Sequence, residues 1–354
     1  MKSMIRKSVR ELSGYVPGEQ WHTPGIIKLN TNENPYPPSR AVEDAMGTIA
    51  INKLRLYPDP TAGALRKRIA SIHRCDVDQV FVGNGSDEIL ALCTRAFVEE
   101  NGTVGFFSPS YSLYPVLAAI RNVKTKPVAL PEDFGWHMPA KYRCSLFFMA
   151  NPNAPTGTLY DQAEIRAFCK RSHGVVVIDE AYVDFSRRNC MALALDLENV
   201  LVVRTLSKAF SLAGLRIGYT VGSSKLIAAL FKLKDSYNTD AIAQRLALAA
   251  LSDLGHMRRN AARIKSTRTR LTQALRQRGA VVYPSESNFL WLRPAGMTAQ
   301  SFYERLRAKR ILVRYFPGDR TSEFIRITIG TDDQVDKLIH AIDEMAERQA
   351  KGDK

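Results

Sequence analysis

The chain has 354 residues, 45% of them hydrophobic, and a formal net charge of +15 at pH 7. This length and composition supply a sizeable core, which excludes bulk disorder and suits one large and one smaller domain or two comparable domains. No run approaches about 18 apolar residues and the five cysteines form no CxxC pair, so a membrane span, a disulfide framework and a metal site are not expected.

Short apolar segments alternate with helical stretches through the middle of the chain. The pattern predicts strands over 80–82, 104–107, 145–150, 174–178, 200–203 and 216–221, and helices over 86–98, 111–120 and 162–171. The runs at 174–178 and 200–203 are continuously apolar, which is typical of strands buried on both faces of a parallel sheet. The alternation therefore predicts an α/β fold whose large domain has a mostly parallel, doubly wound sheet.

The last third of the chain mixes strands and helices in another order. It predicts a long helix over 241–278, strands over 288–292, 311–313 and 324–329, a helix over 298–309, and a final helix behind the capping box of Thr331 and Gln334. This order suits a smaller α+β domain. We therefore divide the chain into an N-terminal arm that packs on the small domain (1–45), a large domain (46–255) and a small C-terminal domain (256–354).

Five polar segments follow the predicted strands at their carboxyl ends, where open α/β sheets bind their ligands. In the first, Gly83 and Gly85 permit a tight turn, and Ser86 and Asp87 open a helix whose N–H groups attract a phosphate. The alternative for this segment is a plain helix cap. In the second, Tyr111 presents a ring that can stack on a flat cofactor or belong to ordinary packing.

The third and fourth segments follow the next two strands. Asn151, Asn153 and Ala154 belong to a polar turn whose shape is fixed by two prolines and a glycine. Asp179 ends an apolar strand, and a buried carboxylate is costly unless it meets a cation such as a protonated pyridine nitrogen. Tyr182 can bond the phenolic oxygen of the same ring. The alternative for Asp179 is a cap on the next turn.

The fifth segment, at 205–216, places Ser207 and Lys208 directly after an apolar strand and Arg216 eight residues later. A buried ammonium without a partner is unfavourable, and a desolvated lysine loses its proton and becomes a nucleophile. A serine hydroxyl and an arginine fork are groups that hold a phosphate. The segment therefore indicates a pyridoxal phosphate site, whereas a solvated turn is the alternative when the segment is taken alone.

The five segments together resemble the fold-type-I pyridoxal-phosphate aminotransferases, and within them the histidinol-phosphate aminotransferases. The segment at 205–216 is close to the motif around the cofactor lysine, and those at 28–38 and 57–60 resemble N-terminal signatures. The resemblance extends from Tyr15 to the last helix. It implies a large cofactor-binding domain and a smaller α+β domain, with pyridoxal 5'-phosphate as the cofactor.

The resemblance also implies a role for each matching residue. Lys208 would form a Schiff base with the cofactor and shuttle a proton, Asp179 would pair with the pyridine nitrogen, and Tyr182 would bond the phenolic oxygen. The cofactor-binding set would be completed by Ser86, Asp87, Tyr111, Asn153, Ser207 and Arg216, and by Tyr57 acting on the phosphate of the neighbouring subunit in a homodimer. Substrate binding would fall to Arg326, Arg314, Tyr15 and Asn32.

One position departs from the family pattern. Such enzymes commonly have asparagine immediately before Pro-Thr-Gly, where it bonds the phenolic oxygen of the cofactor, and this chain has Ala154 there. Either Asn153 reaches the ring through a local shift, or Tyr182 alone makes this bond. We favour the contribution of Asn153.

The expected reaction is amino transfer from L-histidinol phosphate to 2-oxoglutarate in a cytoplasmic enzyme. Transamination of aromatic amino acids and decarboxylation of phosphothreonine are alternatives on the same fold. The basic stretch at 257–270 recurs at helical spacing, which favours a solvated helix face over a nucleic-acid site. The start of the chain lacks the apolar region of a secretory signal.

Overall fold

The computed structural model describes residues 4–21 and 23–350. The chain begins with short elements that precede the central sheet: α1 (Lys7–Arg10), β1 (Ile27–Lys28), α2 (Arg40–Gly47) and α3 (Gly63–His73). The local sequence specifies β1 and α1 only weakly, because β1 has two residues and α1 has four. Tertiary contacts therefore determine where they lie.

Seven strands form the central sheet. They are β2 (Val80–Asn84), β3 (Thr103–Ser108), β4 (Lys124–Ala129), β5 (Leu146–Ala150), β6 (Val175–Asp179), β7 (Val200–Thr205) and β8 (Ile217–Gly222). Their order across the sheet is β2-β8-β7-β6-β5-β3-β4. Strand β8 runs antiparallel to β2 and β7, and the remaining neighbours are parallel. The carboxyl ends of β2, β5, β6 and β7 consequently meet at one edge of the sheet.

Helices cover both faces of this sheet, and they are α4 (Gly85–Phe97), α5 (Leu113–Arg121), α6 (Gln162–Arg171), α7 (Met191–Asp196), α8 (Ser224–Phe231) and α9 (Ala241–Ser252). Successive residues of a strand point to opposite faces, so Ile178 and Val202 belong to one core cluster and Val177 and Val203 to the other. All four side chains are fully buried. The predicted doubly wound α/β fold with a mostly parallel sheet is confirmed.

A second sheet follows near the C-terminus. The elements here are α10 (Leu254–Gln277), β9 (Val281–Val282), β10 (Phe289–Arg293), α11 (Ala299–Ala308), β11 (Ile311–Leu312), β12 (Arg314–Tyr315), β13 (Ile325–Thr328) and α12 (Asp332–Ala350). Four of the strands form an antiparallel sheet in the order β12-β13-β10-β9, and β11 pairs in parallel with β1. The division at 45 and 255 stays a prediction.

Two of the differences from the sequence-based expectation have a clear physical cause. Strand β4 was not predicted, because it is an edge strand in which five of its six side chains are exposed. The single helix predicted over 241–278 is wrong: the chain forms α9 and α10 with Asp253 between them. The Asp253 carboxylate accepts a hydrogen bond from the His256 N–H at 3.1 Å and so caps the second helix.

The capping box predicted for the last helix is confirmed. The Gln334 N–H donates to Oγ1 of Thr331 at 3.3 Å, and the Thr331 N–H donates to Oε1 of Gln334 at 3.0 Å. Within residues 4–21 and 23–350, each helix is too short or too polar to cross a lipid bilayer.

Candidate active site

A cavity of about 350 Å³ opens where the carboxyl ends of β2, β5, β6 and β7 meet. Most of the residues predicted for the site line it: Tyr15, Asn32, Ser86, Asp87, Tyr111, Asp179, Tyr182, Ser207, Lys208, Arg216, Arg314 and Arg326. They come from the N-terminal segment, both sheets and the helices that follow the strands. The tertiary fold therefore brings together side chains that are distant in the sequence.

Lys208 lies in the turn after β7. Its Nζ donates to the carbonyl oxygen of Thr31 at 3.2 Å and lies 5.8 Å from the centre of the Tyr182 ring. Burial lowers the pKa of Lys208 to about 8, and the positive charge of Arg326 contributes in the same direction. A larger fraction of this amine than of an ordinary lysine is therefore unprotonated near neutral pH, as a nucleophile or a proton acceptor requires.

Asp179 is the last residue of β6 and is only 5% exposed. Its Oδ2 accepts a hydrogen bond from the hydroxyl of Tyr114 at 3.0 Å, and its Oδ1 accepts one from the Ala181 N–H at 3.1 Å. Burial raises the pKa of Asp179 to about 6. A carboxylate held in this way has fixed orientation and gains from a cationic partner in the cavity.

An anion site is formed by the start of α4 and by Arg216. The Asn84 side chain makes no capping hydrogen bond, so the N–H groups in the first turn are available to a ligand. Gly85 has φ +78°, and a Cβ at this position would come 2.7 Å from Nη2 of Arg216. The guanidinium therefore lies directly against the helix start, where Asp87 Oδ2 pairs with it at 3.1 Å. These groups fit a phosphate.

Tyr111 forms an aromatic wall of the cavity. Its hydroxyl donates to Oδ1 of Asp87 at 3.2 Å, and its ring makes edge contacts with Tyr15 at 5.8 Å and with Tyr114 at 5.6 Å. These contacts restrict rotation of the ring about its side-chain bonds. The wall is suited to covering a flat ligand.

Tyr182 is held by the N-terminal segment. The Asn32 amide donates to the Tyr182 hydroxyl at 2.9 Å, and the hydroxyl of Thr328 donates to Oδ1 of Asn32 at 3.0 Å. The Tyr182 ring lies edge-on to Phe289. Asn32 was predicted as a substrate residue, and in the structure its amide orients Tyr182.

Asn153 lies outside the cavity lining, and its expected bond to the ring of the cofactor stays a prediction. Its side chain is fully buried. Its Oδ1 accepts a hydrogen bond from the Ser110 hydroxyl at 2.8 Å, and its Nδ2 donates to the Pro109 carbonyl oxygen at 3.1 Å and to Oγ1 of Thr156 at 3.0 Å. Ala154 lines the cavity instead. Tyr182 thus remains as the candidate partner of a phenolic oxygen.

Two arginines lie at the other end of the cavity. Arg326 Nη2 donates to the Asn30 carbonyl oxygen at 2.9 Å, and its guanidinium lies 5.3 Å from the Phe289 ring centre and 5.2 Å from that of Phe316. Its Nε is buried and has no hydrogen-bond partner among the residues that the structure describes. Burial lowers the pKa of Arg326. A buried, partly unpaired guanidinium is a receptor for a carboxylate or a phosphate.

Arg314 lies at the mouth of the cavity, where it fixes the N-terminal segment. Its guanidinium donates to the carbonyl oxygens of Val16 at 2.8 Å and Pro17 at 3.1 Å. These contacts place Tyr15 at the cavity wall. The segment around residues 15–17 is thereby part of the site rather than a separate tail.

Tyr57 is the second predicted residue that does not line the cavity. Its side chain is 80% exposed and stacks on Tyr237 with 4.3 Å between the ring centres. The predicted role of Tyr57 is in a neighbouring subunit, so its place in a single chain leaves that role as a prediction.

Two contributors were not predicted from the sequence, namely Tyr114 and the backbone of Thr31. Tyr114 follows Tyr111 by three residues and so lies on the same side of a helical turn, which is a weak signal. Thr31 acts through its carbonyl oxygen, and side-chain patterns contain no signal for a backbone group.

Comparison with known proteins gives consistent results. Residues 24–342 match the family model of aminotransferase class I and II. The chain is 42% identical over 339 residues to histidinol-phosphate aminotransferase of Synechocystis sp., covering 96% of this chain and 97% of that protein. It is 43% identical over 351 residues to the histidinol-phosphate aminotransferase of Chromohalobacter salexigens, covering 97% and 99% of the two chains.

The fold is also similar to a solved structure. The crystal structure of histidinol-phosphate aminotransferase from Sinorhizobium meliloti in complex with pyridoxal-5'-phosphate superimposes with a TM-score of 0.86. That comparison covers 97% of this chain and 98% of the other at 24% sequence identity. At this identity the similarity concerns the fold.

Proposed function

The chain belongs to the aminotransferase class I and II family, and on this premise we propose that it transfers the amino group of L-histidinol phosphate to 2-oxoglutarate. The products are imidazole acetol phosphate and L-glutamate, and the reaction is a step of histidine biosynthesis. Relatives with this name at 42% and 43% identity over nearly the whole chain support the substrate. The observation that supports the chemistry is a desolvated Lys208 in one cavity with Asp179 and an anion site.

The family depends on pyridoxal phosphate, and the residues of the cavity fit this cofactor. The uncapped start of α4 and Arg216 would hold the phosphate, with Ser207 lining the cavity beside Lys208. Asp179 would face the ring nitrogen, Tyr111 would cover the ring and Tyr182 would meet its phenolic oxygen. When bound, the cofactor supplies an electron sink that stabilises negative charge on the substrate carbon.

The protein side chains supply the remaining chemistry. Asp179 in its ionised form keeps a proton on the nitrogen opposite its carboxylate. The Nζ amine of Lys208, with its lowered pKa, would accept the proton that leaves the substrate carbon. Tyr111 and the aromatic residues around it exclude water from this proton transfer.

The two arginines support a substrate with an anionic end. Arg326 and Arg314 line the cavity and would bind in turn the phosphate of histidinol phosphate and a carboxylate of 2-oxoglutarate or glutamate. An arginine fork accommodates either group, because both present paired oxygen atoms. The same site therefore serves both halves of a reaction in which the amine donor leaves before the acceptor enters.

We further propose that the enzyme is a cytoplasmic homodimer in which Tyr57 reaches the cofactor phosphate of the other subunit. Support comes from large apolar side chains exposed close to Tyr57 in the sequence, namely Ile51, Leu54 and Leu56, which are 80%, 49% and 55% exposed. Such a group of exposed apolar side chains is typical of a surface that another protein covers. A second copy of this chain is the partner that the family resemblance implies.

A half-reaction tests the proposed substrate. The protein is loaded with pyridoxal phosphate and mixed with one amine at a time, without 2-oxoglutarate, while the absorbance of the cofactor is followed. L-histidinol phosphate should convert the cofactor to its aminated form, and 2-oxoglutarate should restore the original spectrum. The variant Lys208→Ala should show neither change.

Two outcomes would contradict the assignment. A fast response to phenylalanine or tyrosine with none to histidinol phosphate would make the enzyme an aromatic amino acid transaminase. Release of carbon dioxide from phosphothreonine, without consumption of 2-oxoglutarate, would make it a decarboxylase.

A further inference from the structure

We propose that Tyr114 is a positioning residue that orients the carboxylate of Asp179 and the ring of Tyr111 at the same time. A single side chain outside the cavity lining would then fix the orientation of two groups, Asp179 at the ring nitrogen and Tyr111 on one face of the cofactor ring. This inference rests on the proposed function, because it concerns how the cofactor is held.

The first support is the direct contact between Tyr114 and Asp179. Tyr114 is fully buried, and its hydroxyl donates to Oδ2 of Asp179 at 3.0 Å. The other carboxylate oxygen accepts the N–H of Ala181 at 3.1 Å. Two donors on different oxygens fix the plane of the carboxylate, and charge-assisted hydrogen bonds of this kind are the stronger ones.

The second support is the way in which the Tyr114 ring is clamped. It stacks on Phe148 of β5 with 4.9 Å between centres and an interplanar angle of 14°. It meets the ring of Tyr111 edge-on at 5.6 Å and 86°, and the Tyr114 N–H donates to the Tyr111 carbonyl oxygen at 3.1 Å. The hydroxyl therefore cannot move away from Asp179 without displacing Tyr111.

The surroundings of Asp179 oppose its ionised form, which the hydrogen bond from Tyr114 stabilises. Burial raises its pKa, and the nearby carboxylates of Asp87 and Glu180 act in the same direction. Tyr114 and the Ala181 N–H oppose this effect. Glu180 is paired with Arg204, and the hydroxyl of Tyr114 donates directly to Asp179, which favours the ionised form of Asp179 in the absence of a ligand.

The variant Tyr114→Phe removes the hydroxyl and keeps the stacked ring. The matched control is Tyr160→Phe, because Tyr160 is equally part of an aromatic cluster and, within residues 4–21 and 23–350, its buried hydroxyl has no hydrogen-bond partner. Apo-protein is titrated with pyridoxal phosphate across pH 5–9, and the dissociation constant is read from protein fluorescence. Protonation of Lys208 and of the ligand phosphate also weakens binding on the acid side, so the acid limb of Asp179 is the part of the pH profile that Asp179→Asn removes.

In Tyr114→Phe we expect this acid limb to shift upward by about one pH unit, since loss of a donor to an ionised group is worth about one pKa unit or more. The rest of the pH profile, to which Lys208 and the ligand contribute, and the whole profile of Tyr160→Phe should stay in place. An acid limb that does not move in Tyr114→Phe would overturn the inference. A wild-type protein that does not bind pyridoxal phosphate at all would instead contradict the proposed function.

Two further measurements separate positioning from a general effect on folding. In the background of Asp179→Asn, the change Tyr114→Phe should no longer alter the acid limb, because its partner cannot ionise. If Tyr114→Phe does not fold, 3,5-difluorotyrosine incorporated at position 114 provides a test of nearly the same shape. Its more acidic hydroxyl is a stronger donor, so the acid limb should move downward, and an upward or absent shift would contradict the inference.

Discussion

Arg204 Nη2 lies 2.8 Å from Oε2 of Glu180, the residue that directly follows Asp179. The Glu180 side chain is fully buried, and its other carboxylate oxygen accepts the Cys190 N–H. The pair joins the end of β6 to β7 and to the start of α7. It therefore fixes the backbone from which Asp179 enters the cavity.

Breaking this ion pair should destabilise the protein strongly. The variant Glu180→Gln leaves the buried Arg204 cation without its full counter-charge, and removal of one partner of such a pair costs about 3–5 kcal/mol. The free energy of unfolding in urea measures the effect. The control is Arg166→Ala, which breaks the exposed pair of Arg166 with Asp196 and should cost less than about 1 kcal/mol. Equal losses in the two variants would contradict the importance of burial.

Replacing Asp179 should stabilise the apo-protein at neutral pH while abolishing catalysis. The pKa of Asp179 is raised to about 6 in the folded chain, whereas an unfolded aspartate titrates near 4. The wild type therefore loses stability as pH rises from about 4 to about 6, and above this range the ionised group costs about 2–3 kcal/mol.

Asp179→Asn has no such proton to lose. The melting temperature of the apo-variant should equal that of the wild type below about pH 4. Its excess over the wild type should grow up to about pH 6 and stay constant above that pH. A variant that is less stable than wild type at pH 7 would show that the two hydrogen bonds to Asp179 outweigh the cost of burying its charge.

The reactivity of Lys208 should reveal its lowered pKa without any cofactor. Competitive acetylation of the apo-protein, followed by mass spectrometry, should give an inflection in the labelling rate of Lys208 near pH 8. The variant Arg326→Gln removes a neighbouring positive charge, so the inflection should move to higher pH. If the pH of the inflection is the same in Arg326→Gln as in the wild type, the charge of Arg326 is screened from Lys208.

Arg326→Lys should weaken both half-reactions. Lysine preserves the charge but loses the planar fork and the stacking between Phe289 and Phe316, so kcat/KM should fall about 100-fold or more for histidinol phosphate and for 2-oxoglutarate alike. The matched change Arg293→Lys affects an arginine of an exposed ion pair and should leave both values unaltered. A loss confined to one substrate would show that the two anions bind to different groups.

A charged residue in the apolar surface before Tyr57 should disrupt the proposed dimer. Leu56→Glu places a carboxylate where a partner chain would cover an exposed leucine, and it should produce monomers in light scattering with low activity. The control is Leu195→Glu, which should leave the assembly unchanged. Leu195 is 36% exposed and belongs to α7, 139 residues after Leu56. A Leu56→Glu protein that keeps wild-type mass and activity would contradict the interface.

The central strands were predictable because burial on both faces leaves continuous apolar runs, as at β6 and β7. Strand β4 lacked this signal, since an edge strand tolerates the polar segment Lys124–Ala129. The break at Asp253 was missed because helical periodicity continues on both sides of it. In each case the property that decided the structure was a tertiary contact or a single cap rather than the local pattern.

The members of the candidate site were more predictable than their orientations. Asp179 and Lys208 follow apolar strands, so their meeting at one sheet edge is a consequence of topology. The direction of the Asn153 side chain depends on Ser110, which is 43 residues away, and the partner of Asp179 is a tyrosine 65 residues away. Such pairings are decided by the packed structure, and no spacing in the sequence specifies them.

The pairing of β1 with β11 has a consequence for how the protein is made. Ile27 is made 284 residues before its partner Ile311. Arg326 and Asn30, which meet at the cavity, are 296 residues apart. Domains generally fold as units from the N-terminus during synthesis. Here the segment with Ile27 and Asn30 must wait until the segment with Ile311 and Arg326 has been made, so the cavity cannot close before that later segment is translated.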